Sequence, residues 1–158
     1  MKKYSKFQFG WVVVVVFILV IIWISAAYIN QWGNNPITKP VYIFFLVLFG
    51  GIIFSFYGMT VTVDEKLIII KMGIGLIKKK YPLSSVKSVE NVKYPVFYGY
   101  GIRIIPNGVL FNISGKHAVE LRFKSGRQVI QIGTNDEANL KSILEEKIQI
   151  IALHSESN

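Results

Sequence analysis

"WVVVVVFILVIIWISAAYI", residues 11 to 29, is nineteen residues without a charge, and a second uncharged run of nineteen, "VYIFFLVLFGGIIFSFYGM", covers 41 to 59. A bilayer's hydrocarbon core of about 30 Å is crossed by about 20 apolar residues in a helix rising ~1.5 Å each. Both runs are long enough to span. In hydrocarbon every backbone N–H and C=O must be paired within its own segment, which overrides the middling helix propensity of the valines 12 to 16. The eleven residues between the runs, "NQWGNNPITKP", carry Asn34, Asn35, Pro36 and Pro40, which are turn or helix-stop residues. The pair therefore reads as an antiparallel hairpin of two transmembrane helices, about 11–29 and 41–59.

The 158-residue chain is 52% hydrophobic yet carries a net charge of +9, a combination that suits a membrane protein. Lys2, Lys3 and Lys6 precede the first run, Lys39 alone stands in the connection, and Lys66 and Lys71 follow the second run. Cationic flanks resist translocation, so both termini and everything after the hairpin are expected in the cytoplasm, with the protein multi-pass in the cell membrane. Trp11, Trp23, Tyr28, Trp32, Tyr42 and Tyr57 fall near the expected interfaces. The early lysines, the apolar run and "SAA" at 25–27 also fit a cleaved signal peptide. Nineteen residues exceed the usual h-region of about 7–15, however, and a second span follows at once. No cysteine is present, which excludes disulfide and thiolate chemistry. Neither run contains a charge, so neither offers a proton relay or ion ligand. Gly51 and Ser55, four apart, form a small-residue face that packs either within the hairpin or against a second copy.

From Met59 the pattern changes to period two. "TVTV" (60–63), "LIIIKM" (67–72) and "LIKKKY" (76–81) read as strands separated by Asp64-Glu65 and by Gly73 and Gly75. "AVELRFK" (118–124) alternates, with Val119, Leu121 and Phe123 on one face, and Ser125-Gly126 reads as a tight turn into "RQVIQI" (127–132). Thr134 and Glu137 have the spacing of a capping box, and Leu140, Ile143, Leu144, Ile148 and Ile151 form one helical face. The expected organisation is a tail and two spans over 1–58, a mainly-β domain over 59–152 and a tail over 153–158. The β domain should hold about seven antiparallel strands closed by a C-terminal helix.

This order of elements resembles the bacterial pleckstrin-homology domain family, and "GYGIRIIPNGVLFNISGKHAVELRFKSGRQVIQIGTND" (99–136) is similar to the second half of its two-helix membrane-anchored members. The resemblance rests on Gly-Ile-Arg at 101–103, Gly115 before an alternating strand, and "IGT" at 132–134, and it covers about 59–150. It implies two near-orthogonal sheets forming a half-open barrel with a groove beside the cap helix, where an extended peptide could be bound. Relatives that bind inositol phosphates use a basic cluster ending in Arg on the first hairpin. Here "VTVDEKLIIIKMG" has an acidic turn and no Arg, so specific phosphoinositide binding is not implied.

Gly99-Tyr100-Gly101, within "FYGYGIRIIPNG" (97–108), has the look of an ion filter, but it follows both spans by forty residues. It is no phosphate loop either, because a strand rather than a helix N-terminus comes next. Gly99 and Gly101 suit a corner where a strand changes direction, and Asn107-Gly108 reads as a hairpin turn. His117 and His154 have no acid at a spacing typical of a triad or metal site, and Asp64 and Glu65 are adjacent in a turn. The chain is thus expected to be no enzyme and to need no cofactor.

Residues 59–133 hold twelve basic residues against four acids, net +8, whereas 134 onward holds two against five, net −3. Each cation near an anionic leaflet is worth about 1 kcal/mol. Lys78, Lys79 and Lys80 are therefore candidates for lipid headgroup contact, the alternative being that they protect a strand edge. Nucleic acid is not an expected partner, since the chain lacks a basic helix or an aromatic stripe. The resulting expectation is a membrane-anchored scaffold module that binds another membrane protein or itself, with anionic-lipid contact. The alternative is an accessory subunit of a membrane transport or secretion complex.

Overall fold

The computed structural model describes residues 3–93, 99–126 and 128–156. Lys2, Phe97, Tyr98 and Arg127 of the stretches above lie outside them. The chain opens with a strand, β1 (Tyr4–Phe9), followed by two long helices, α1 (Trp11–Ile29) and α2 (Lys39–Phe56). Eight strands follow: β2 (Gly58–Val63), β3 (Leu67–Met72), β4 (Ile77–Pro82), β5 (Val86–Lys93), β6 (Gly101–Ile105), β7 (Gly108–Asn112), β8 (His117–Phe123) and β9 (Val129–Gly133). A 3-10 turn, Leu83–Ser85, joins β4 to β5, and α3 (Glu137–Glu156) ends the chain.

Both α1 and α2 are long and apolar enough to cross a membrane. They pack through aromatic contacts: Tyr28 stacks on Tyr42 at 4.4 Å, Phe17 meets Phe49 at 5.5 Å, and the Ser25 and Tyr42 hydroxyls share a 3.1 Å hydrogen bond. α2 ends at Phe56 rather than 59, because Gly58 and Met59 enter a sheet ladder instead.

The segment expected as a tail is β1, which pairs antiparallel with β2 from Tyr4↔Val63 to Phe9↔Gly58. Nothing in "YSKFQF" announces this strand, since its inward residues are Tyr4 and Gln8 while Phe7 and Phe9 are exposed. One sheet has the order β1-β2-β3-β4, and the other has β5-β8-β9-β7-β6. Nine strands among the described residues thus replace the seven expected. They are not all antiparallel, because β7 runs parallel to β9. A strand order that departs from sequence order permits this: β8 crosses between β5 and β9, leaving β7 alongside β9.

The two sheets enclose one core. Met59, Val61, Val63, Ile68, Ile70 and Met72 of the first sheet meet Phe111, Val119, Leu121, Ile130 and Ile132 of the second, and Leu140 and Leu144 of α3 cover them. The inward set of β8 is the alternating one read from sequence. α3 continues to Glu156, past the boundary expected at 152.

Its start also differs from the expected capping box. Leu140 N–H bonds the Asp136 carbonyl, so Asp136 occupies the N-cap, and its carboxylate accepts from Asn139 Nδ2 at 3.3 Å. Thr134 Oγ1 instead accepts the Asp136 N–H (3.1 Å), and Glu137 pairs with His117 Nδ1 at 3.2 Å. Asp136 also accepts from the Tyr4 hydroxyl at 3.3 Å, tying the first strand to the last helix.

The β6–β7 turn is one residue earlier than Asn107-Gly108. Ile105 pairs with Gly108, so Pro106 and Asn107 are its central residues, and Asn107 takes the left-handed φ of +64°. Gly108 is required for a different reason: a Cβ there would lie 1.8 Å from the Val129 carbonyl of the parallel strand. Gly99 (φ +68°) and Gly101 (φ +102°) both take left-handed φ, Gly101 opening β6, while residues 94–98 before them lie outside the described ones. Ser125-Gly126 is not a two-residue turn, since Arg122 pairs with Val129 across a wider loop.

Burial and the Asp136 charge push the Tyr4 hydroxyl up to about 12 from 10. A group that holds its proton more tightly when folded contributes stability that is full below pH ~10 and is lost as pH rises through ~12. In detergent the parent chain's melting temperature should therefore fall between pH 9 and 12, and Tyr4→Phe should flatten that fall. Gly108→Ala should cost about 1–3 kcal/mol through the forced backbone shift, and Gly101→Val a similar amount through strained φ. Gly50→Ala, with nothing within 4 Å of its Cβ, should leave thermal unfolding unchanged.

Candidate functional site

The β2–β3 turn, Asp64 to Lys66, lies at the end of the β domain away from the helix pair. Six residues of β2 at ~3.3 Å rise separate it from α2 by about 20 Å. The turn is closed by Asp64 N–H to the Leu67 carbonyl (2.9 Å), and the Leu83 N–H reaches the Lys66 carbonyl (2.9 Å). Between this turn, Pro82 and Ser84, and the last turns of α3 at Ile150 and Ile151, opens a groove of about 720 Å³. Leu67, Pro82, Ile150 and Ile151 make its walls largely apolar, while Glu65 and Lys66 stand on its rim. Ser85 Oγ donates to the Pro82 carbonyl (2.7 Å) and so holds the 3-10 turn that forms one wall.

A second cleft, about 650 Å³, lies on the outer face of the other sheet between Pro106, Asn107, Lys87, Lys124 and the β8–β9 residues. At its floor Glu120, only 8% exposed, accepts from Arg122 Nε and from Gln131 Nε2, both at 2.8 Å. Glu90 lies 3.5 Å from the Arg122 guanidinium. The hydrogen bond that Arg122 donates to Glu120, with the charge of Glu90 beside it, holds Arg122 above its ordinary pKa. Alternation alone placed Glu120 among solvent-facing residues. Its carboxylate is satisfied by neighbours, which makes this network a brace across β8 and β9 rather than an open ligand site.

The three lysines do not share a face. Residues paired across a ladder point to the same side. Lys78 is paired with Lys71, Lys79 with the core residue Ile70, and Lys80 with Ile69. Lys78 and Lys80 therefore project outward together with Lys71, while Lys79 projects from the opposite side of the edge strand. All three are exposed.

Gly51 and Ser55 are not joined across the helix pair. Nothing lies within 4 Å of a Cβ built on Gly51, and Ser55 Oγ donates to the Gly51 carbonyl of its own helix at 2.8 Å. Aromatic residues hold the pair instead.

Among the described residues no cluster of three His, Cys, Asp or Glu side chains gathers to hold a metal ion. Lys147 interrupts a helical face otherwise written in leucine and isoleucine. It is 3% exposed on the same side of α3 as Leu140, Leu144 and Ile151. The spacing 140, 144, 147, 151 was the signal available.

No family model, curated protein or solved structure matches this chain. The site is therefore read from its own geometry.

Lys147 lies along the buried side of α3 and its Nζ is not among the buried, unpartnered atoms, so a methionine of similar length keeps the packing. Lys147→Met should leave the melting temperature equal to or above that of the parent. A large drop in thermal unfolding would instead identify the ammonium as part of a required contact.

Proposed function

We propose that the protein is a membrane-anchored binding module: α1 and α2 cross the bilayer, the β domain stands in the cytoplasm, and the groove beside α3 takes an apolar segment of a partner protein. The observation that carries this reading is the groove itself, a concave apolar surface at the end of the domain farthest from the helix pair. Such surfaces, rimmed by a few polar groups, are the usual form of a binding site. The arrangement of mostly antiparallel strands closed by a C-terminal helix supports the pleckstrin-homology resemblance, and the parallel β7–β9 pair departs from it.

Docking in the groove is favoured over strand addition at the β4 edge. Pro82 has no N–H to donate there, and Lys78, Lys79 and Lys80 crowd the strand with charge, the usual defences against edge pairing. A partner that is itself a membrane protein, or a second copy of this chain, gains from tethering to the same surface, which raises the effective concentration without further contacts. The lysine-rich flanks of the helices favour the cytoplasmic orientation.

A photo-crosslinking residue placed at Ser84 in the full chain, in native membranes, tests the groove. A discrete adduct is expected from Ser84 and not from the exposed Lys116, and Glu65→Trp, which closes the rim, should abolish it. Equal adducts from both positions, or persistence in Glu65→Trp, would reject the groove as the binding site.

A further inference from the structure

The turn joining β3 to β4, "GIGL" at 73–76, carries two of the most exposed large apolar side chains of the β domain: Ile74 is 63% and Leu76 70% exposed. This turn is fixed against the end of α2. Ile74 N–H bonds the Phe54 carbonyl (3.2 Å), and Gly73 N–H bonds the Gly58 carbonyl (2.7 Å). Gly73, at φ +55°, approaches so closely that a Cβ there would stand 2.2 Å from the Phe54 carbonyl oxygen. The last four carbonyls of a helix lack partners within it, and one left unpaired near hydrocarbon is costly. The turn supplies the partner for one of them.

This bond sets the depth of the turn. The 18 residues of α2, at ~1.5 Å each, give about 27 Å, against a hydrocarbon core of about 30 Å. The helix has no length to spare, so its last turn lies within the membrane boundary. A turn hydrogen-bonded to Phe54 lies there too.

Two features above the turn fit the same surface. Lys71 and Lys78 face each other directly across the β3–β4 ladder, and both are exposed. Like charges so placed repel, a cost that an anion between them removes. Phe7 and Phe9, each 51% exposed, stand on the same outer face at the helix-proximal end of β1, and Trp11, 60% exposed, opens α1.

We propose that residues 73–76 form an interfacial membrane anchor, in which Ile74 and Leu76 enter the headgroup–acyl boundary while Lys71 and Lys78 bind anionic phospholipid headgroups. It rests on the reading that α1 and α2 span the bilayer. The anchor adds a third attachment beside the two helices. The β domain is thereby held at a fixed tilt, with the α3 groove directed away from the lipid.

The absence of cysteine allows clean single-site labelling of the full chain. Ile74→Cys, Leu19→Cys in mid-α1 and Asp64→Cys in the far turn are each labelled with an environment-sensitive fluorophore and reconstituted in vesicles of phosphatidylcholine and phosphatidylglycerol. Lipids brominated near the top of the acyl chain should quench position 74 several-fold more than position 64, and lipids brominated deep in the chain should quench position 19. Quenching at 19 with 74 no stronger than 64 overturns the anchor and leaves the span intact. No quenching at 19 overturns the span and the anchor with it. The pair Lys71→Glu and Lys78→Glu should reduce quenching at 74 in the anionic vesicles and leave it unchanged in pure phosphatidylcholine. Unchanged quenching at 74 in the anionic vesicles on introducing the two glutamates would overturn the headgroup contact. A label at Lys66→Cys guards against insertion driven by the dye, and strong quenching there would overturn the assignment at 74.

Discussion

The Gly10 N–H bonds the Tyr57 carbonyl at 2.8 Å, and much of the molecule is organised around that contact. On one side of it the chain is two antiparallel helices, and on the other it is two antiparallel strands, so α1–α2 and β1–β2 form one continuous hairpin that changes secondary structure in the middle. The crossing is crowded. A Cβ on Gly10 would stand 2.8 Å from the Phe56 carbonyl, and one on Gly58 would stand 2.4 Å from the Phe7 ring. Glycine is the residue that lets backbones approach this closely. With Gly73 it forms the neck through which the helix pair joins the sheet.

A consequence is that the β domain is not a sequential unit. β1 lies before the helices and contributes Tyr4 to the core, Gln8 to a buried hydrogen bond with the Gly133 carbonyl (3.0 Å), and Lys6 to the Asp136 carboxylate at 3.8 Å. A fragment beginning at 59 would remove an edge strand and leave Asp136, the α3 N-cap, without its Tyr4 donor. Helix pair and β domain therefore order each other. Stabilisation of the neck also transmits any tilt of the helices directly to the sheet, because β2 follows α2 with a single residue between them.

The groove and the β3–β4 turn were legible to different degrees. Charge and spacing made Lys78, Lys79 and Lys80 conspicuous, yet strand alternation divides them between two faces, and Lys78 stands opposite Lys71, seven residues apart in sequence. Ile74 and Leu76 read as ordinary apolar residues between punctuating glycines. Only their position against Phe54 makes them noteworthy. The groove beside α3 was expected from the family resemblance, but its walls come from residues 65 to 67, 82, 84, 150 and 151, a juxtaposition no local pattern encodes. Glu120 and Lys147 are the reverse case: each is charged and so solvent-facing by type, and each has little exposed surface in the fold.

By itself the sequence determined what depends on local periodicity and composition. It marked the two apolar helices and their turn, the strand segments at 60–63, 67–72 and 118–124 with Val119, Leu121 and Phe123 inward, and the apolar face of α3. These follow from solvent and backbone geometry acting within a few residues. Tertiary structure decided what depends on pairing between distant segments: β1 as a strand, β7 parallel to β9, Asp136 rather than Thr134 at the helix start, and the β3–β4 turn seated on α2. The physical reason is that a ladder or a cap is completed by whichever partner the fold brings within hydrogen-bonding distance. "YSKFQF" carries no inward apolar alternation, so its role as a strand exists only once β2 lies beside it.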